Sequence, residues 1–190
     1  MNRRKLLVVA VAALASPTAA LAAPPAAWVV DKAASSVRFT SSMAGEAFSG
    51  SFRRWDADIR FDPANLAGSS VVASIDVASV TTANADRDQA LPTATFFNAP
   101  AFPRATFVAH GFTALGPGRY QAAGVLTLRG VAKPVTLPFS LAINGVQARM
   151  TGAVAINRLI FGVGQGEWKA TDAIPAAVTV SVALTARRTP

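Results

Sequence analysis

The chain of 190 residues contains no cysteine, a single histidine, one tyrosine and only 10 acidic residues against 18 lysines and arginines. Without cysteine, and with His110 alone, it cannot assemble a Cys/His zinc site, an iron–sulfur cluster, a thiol nucleophile or a disulfide framework. Intrinsic disorder is excluded by an apolar content of 52%. Fixed-period repeats and low-complexity linkers are also lacking, so the length fits one domain large enough to bury its own core.

The first 22 residues read as a secretory signal. Arg3, Arg4 and Lys5 precede an apolar run from Leu6 to Ala15, and small residues close the segment at Ala20-Leu21-Ala22. A membrane anchor needs about 20 apolar residues, and Ser16-Pro17-Thr18 interrupts this run too early. Asn2-Arg3-Arg4-Lys5-Leu6-Leu7 also resembles a twin-arginine signal, so either the general secretory or the twin-arginine route is expected. Cleavage near Ala22 leaves one domain over residues 23–190, with a periplasmic destination. Three basic residues leave with the signal, so 15 remain against 10 acids and the mature net charge is +5. These cations are scattered along the chain, which argues against a nucleic-acid partner. Attraction to anionic lipid surfaces stays compatible with them.

From Trp28 onward, apolar residues recur with period two between turn residues, the pattern of strands. Val37 and Phe39 alternate with polar neighbours, as do Ala57, Ile59 and Phe61. Tyr120, Ala122, Gly124, Leu126 and Leu128 share a face after Gly116-Pro117-Gly118, as do Val135, Leu137, Phe139, Leu141 and Ile143 before Asn144-Gly145. Asn144-Gly145 predicts a type I′ hairpin. About eight to ten strands are predicted, a number at which an antiparallel sheet closes into a barrel or packs as a sandwich to protect its edges. The fold class is all-β, with one short helical segment near 84–97 that Asn84 caps and Pro92 limits.

Few residues could carry chemistry. Asp56, Asp58 and Asp62 suit a solvated strand face better than a glycosidase pair. Gly162-Val163-Gly164-Gln165-Gly166 has no helix after it to cradle a phosphate, and no Gly-x-Ser-x-Gly elbow occurs. His110 lies in a strand without a Ser–Asp context. Arg158, at the end of an apolar strand, and Arg87, between Asp86 and Asp88, are the polar groups of interest. Pairing of either with Asp88 would fix one end of the barrel; the functional alternative is contact with an anionic head group. No catalytic residues and no metal ligands are assigned.

Further blocks are Trp28-Val29-Val30-Asp31, Phe48-Ser49-Gly50-Ser51-Phe52, Arg87-Asp88, Phe96-Phe97, Leu126-Thr127-Leu128-Arg129-Gly130-Val131 and Asn157-Arg158. Their order resembles that of the YceI-like family of exported lipid- or polyisoprenoid-binding proteins. The resemblance covers essentially Trp28 to Thr185. Two histidines common in the family are missing: Gln89 follows Arg87-Asp88, and Met43-Ala44-Gly45 occupies the early position. Roles tied to those histidines do not transfer.

The resemblance implies a lipocalin-like antiparallel barrel of about eight strands whose lumen holds one long apolar chain. Its implied lumen and mouth residues are Phe39, Phe48, Phe52, Phe97, Phe107, Phe139 and Phe161, with Arg87, Asp88 and Arg158 as polar contacts. The implied ligand is an amphiphile such as a polyisoprenoid, an isoprenoid quinone or a fatty-acyl lipid, with no other cofactor. A homodimer is compatible with the family. Gly166-Glu167-Trp168 resembles a subgroup associated with membrane b-type cytochromes, which gives a quinone-binding accessory as the alternative role. An enzyme acting on a lipid head group, through Asp88, Arg158 and His110, is the least favoured reading.

Overall fold

The computed structural model describes residues 24–189; the predicted signal lies outside them. Eleven strands make one antiparallel sheet: β1 (Ala27–Val30), β2 (Ser36–Met43), β3 (Glu46–Phe52), β4 (Trp55–Arg60), β5 (Ser70–Asp76), β6 (Val80–Thr81), β7 (Arg104–Gly116), β8 (Arg119–Leu128), β9 (Val131–Asn144), β10 (Gln147–Asn157) and β11 (Ala177–Arg188). Six of them are halves of three interrupted strands. β1 and β2 share one edge of β11, through Trp28↔Arg188 and Val37↔Val182. β3 pairs with β6 and β4 with β5, while Arg53 N–H and Asp76 N–H donate across the break to Ser79 and Arg54 carbonyls. Counted this way, eight strands run in a meander, and β1 closes the ring by pairing with both β4 and β11. Closure pairs most strand edges; among the described residues, one side of β3 from Glu46 to Gly50 has no strand beside it.

Period two decides which side chains fill the interior. Val135, Leu137, Phe139 and Leu141 of β9 line the lumen, as do Trp55, Ala57 and Ile59 of β4, while Asp56 and Asp58 point to solvent. In β7 the register shifts between Ala109 and Gly111, and this bulge returns Phe112 to the inside. It leaves His110 exposed.

The turns differ from expectation in one place. Strand pairing ends at Asn144↔Gln147, so the loop residues are Gly145 and Val146 rather than Asn144 and Gly145. Only Gly145 has positive φ, at 60°, which is the pattern of a type II′ turn instead of type I′. The two-residue loops with positive φ at both positions are Ala44-Gly45 and Arg129-Gly130. There the glycine relieves only the second position.

The helical segment is shorter than 84–97. Helix α1 spans Ala85–Ala90, and the Asn84 side chain accepts the Arg87 N–H at 3.0 Å. Leu91 to Pro103 then folds irregularly and packs Phe96 and Phe97 toward the barrel. Two buried clusters occupy opposite ends of the barrel. One gathers Phe39, Val77, Phe97 and Phe161 beside α1; the other gathers Trp28, Phe61, Ala122 and Phe139.

Candidate functional site

The lumen contains two confluent cavities. The deep one, about 190 Å³, is lined only by apolar and aromatic residues from β1 to β11, including both Trp28 and Trp55. The other, about 480 Å³, lies at the α1 end. Val37, Ile75, Leu126, Ile156 and Val180 line both, so they form a waist within one passage. The larger volume falls within the usual range for small-molecule pockets, and the smaller exceeds the roughly 150 Å³ that stays dry and admits benzene.

Polar groups are confined to the α1 end. Asn84, Asp86, Arg87 and Arg158 line the larger cavity together with Ser41. Arg87 lies 4.5 Å above the Phe48 ring, and its Nε donates to the Thr82 hydroxyl at 3.3 Å. The guanidinium therefore stands at the mouth on an aromatic base, without an ion pair among the described residues. Trp168 packs against Phe96 with ring centroids 5.7 Å apart and adds an aromatic wall to the same mouth.

Neither predicted pairing with Asp88 forms. Arg158, only 4% exposed, donates to four backbone carbonyls: Pro175 at 3.0 Å, Val163 at 2.9 Å, Ala170 at 3.3 Å and Ile174 at 2.8 Å. All four belong to the segment after β10, so the arginine ties residues 163–175 over the barrel end. Burial pushes its pKa down, and carbonyl dipoles take the place of a counter-ion. Asp88 instead accepts from the Thr82 hydroxyl at 2.7 Å, the Thr82 N–H at 2.6 Å and the Thr81 hydroxyl at 2.9 Å. The Thr82 hydroxyl chiefly holds its carboxyl below the ordinary range, against the opposing pull of desolvation. These contacts dock α1 on β6.

The predicted aromatics divide between the cavities. Phe107 and Phe139 line the deep cavity, and Phe39, Phe48, Phe52 and Phe97 line the larger one. Phe161 is 1% exposed in the core beside the mouth and lines neither; Asp88 lines neither. The glycine-rich segment spends its amides internally, since Gly164 and Gln165 N–H donate to the Thr95 carbonyl at 3.0 and 2.9 Å. Asp56 pairs with Lys32 at 2.9 Å on the outer surface.

Sequence reasoning passed over Trp28, Trp55, Met43, Trp168 and Ile174, all of which line the lumen. The two tryptophans were detectable. The alternation that sends Asp56 and Asp58 outward sends Trp55 and Ala57 inward. Trp168 lies in a single 3₁₀ turn and Ile174 in an irregular segment, both too short for a period to apply.

Comparison with known proteins agrees with this architecture. The YceI-like domain family matches residues 28–186. The UPF0312 protein of Shewanella denitrificans is 35% identical over 140 residues, 72% of each chain, and that of Vibrio cholerae is 33% identical over 138 residues. Burkholderia cenocepacia BcnA superposes with a TM-score of 0.80 at 34% identity, covering 83% of this chain and 99% of BcnA. A polyisoprenoid-binding domain from Saccharophagus degradans has the same fold, with a TM-score of 0.67 at 17% identity over 86% of this chain and 99% of its own.

Proposed function

The chain belongs to the YceI-like family, and from that premise we propose that it is a non-enzymatic binding protein that holds a long-chain amphiphile, of the polyisoprenoid kind, inside the barrel. The observation that carries this reading is a passage apolar along its depth and polar only at one mouth. A linear tail with a polar head matches that asymmetry. Each buried methylene contributes about 0.8 kcal/mol, so a tail of several isoprene units offsets the several kcal/mol that association costs. The amino-terminal signal supports export to the periplasm, where such a protein would carry, store or scavenge lipid.

A quinone-headed isoprenoid, delivered to a membrane cytochrome, is the second reading. Trp168 beside Phe96 favours it, because a flat head group stacks on such a face.

The test is mass spectrometry of organic extracts from the exported protein. A long-chain amphiphile enriched in stoichiometric amount is expected. Repeated absence of lipid, with no binding of prenyl or fatty-acyl probes, would overturn the proposal.

A further inference from the structure

We infer that the rings at the closed end of the lumen are a length gauge: Phe139 and Phe112, locked by Phe61 and Trp28, fix the longest tail that gains affinity. This rests on the tail-in-lumen reading and adds which residues set its limit.

At that end four rings interlock. Phe61 meets Phe112, Tyr120 and Phe139 edge-on, with centroids 5.3, 5.5 and 5.9 Å away. Tyr120 stacks on Phe139 at 5.6 Å with 26° between the planes. Phe139 lines the deep cavity and Tyr120, opposite it on the same interior face, does not, so the tyrosine packs beneath the floor. Two hydrogen bonds hold the assembly in place: Trp28 Nε1–H donates to the Phe61 carbonyl at 2.9 Å, and Phe61 N–H donates to Ala26 at 3.1 Å. Interlocked rings fixed to the backbone do not yield to an advancing tail as a cluster of aliphatic side chains would.

Among the larger apolar side chains of this wall, alanines leave local room. Ala57 and Ala73 face each other across β4 and β5 and line the deep cavity, as does Ala122. The chamber exists because these side chains are short. A tail that enters through the waist gains burial with each methylene, about fourfold in affinity apiece, until its end reaches the rings. Further carbons stay at the mouth or force the chain to buckle, and the gain stops.

The experiment measures competition by farnesol, geranylgeraniol and longer prenols against a fluorescent fatty-acyl probe bound to the full mature chain. The parent is expected to show affinity rising with length and then a break. Phe139→Ala and the milder Phe112→Leu should move the break to longer prenols, with a gain of at least about tenfold, equivalent to burying about two more carbons, for the first prenol beyond the parent's limit. Ala73→Leu fills the chamber and should move the break to shorter prenols. Because the two kinds of substitution act in opposite directions, general destabilisation cannot imitate the pair, and thermal unfolding of each variant identifies any that fails to fold. Should Phe139→Ala not fold, Phe112→Leu and Ala73→Leu decide the matter. Folded variants that bind prenols with the break unmoved would overturn the gauge while leaving the lipid-binding reading intact. A parent that binds no prenol and no acyl probe would overturn that reading itself.

Discussion

Replacing Arg158 with methionine keeps the apolar stem and removes every donor, which isolates the contribution of the carbonyl clamp. Four carbonyls lose a charged donor, and the bonds to Val163 and Ile174 are fully buried. Carbonyls of the Ala170 and Pro175 bonds are nearer solvent and can be rehydrated. A buried acceptor stripped of its partner costs about 1–3 kcal/mol, so the two buried ones set a loss of roughly 4 kcal/mol for Arg158→Met. For a domain of this size, about 2–4 °C of melting temperature accompanies each kcal/mol, giving a fall of roughly 10 °C. Arg158→Lys retains the charge but not the planar fork that reaches carbonyls on several sides, so it should recover only part of the loss. Thermal unfolding followed by near-ultraviolet circular dichroism checks both variants. A methionine variant that melts within about 2 °C of the parent, or a lysine variant indistinguishable from it, would refute the clamp.

Gly164→Ala should destabilise by about 2 kcal/mol or more, read as a lowered denaturant midpoint, because φ is +87° and the new Cβ would lie 2.2 Å from Arg158 Nη1 and 2.9 Å from the Trp168 carbonyl. Asp88 gives a pH dependence of definite sign. Its folded pKa is depressed, so its stabilisation is present above the unfolded value of about 3.9 and is lost as the pH falls through the folded value. The stability difference between the parent and Asp88→Asn should therefore be largest near neutral pH and vanish in acid, which parallel urea titrations would detect.

The barrel was legible because its strands obey one simple periodicity. Val135 to Ile143 and Val178 to Leu184 alternate without interruption, and each alternate side chain points where period two sends it. The ring closure was less accessible, since it depends on β1 and β2 sharing an edge of β11 across the break at 31–35. That arrangement is a tertiary fact with no local signature. The hairpin at Gly145-Val146 was misplaced by one residue, because Asn-Gly is a strong type I′ signal and the register of β9 against β10 overrode it.

At the mouth, Arg87 and Arg158 line the larger cavity whereas Asp88 does not, and neither arginine pairs with it. Arg158 was expected to seek a carboxylate, the usual partner of a buried cation, yet four carbonyls of a glycine-rich irregular segment converge on it. Gly162, Gly164 and Gly166 in this segment all have positive φ, and a Cβ at Gly164 would lie 2.2 Å from Arg158 Nη1. Their significance as a scaffold for an arginine, rather than as a phosphate loop, emerges only in three dimensions.

The central claim is that a tail lies along the lumen with its end at the floor and its head at the mouth. Fatty-acyl chains carrying bromine either at the terminal carbon or beside the head group test it directly through tryptophan fluorescence, since Trp28 and Trp55 line the deep cavity and Trp168 lines the mouth. In a Trp168→Phe variant, the terminally brominated chain should quench saturably and the head-proximal isomer only weakly. Equal quenching by the two isomers, or none that saturates, would contradict the account.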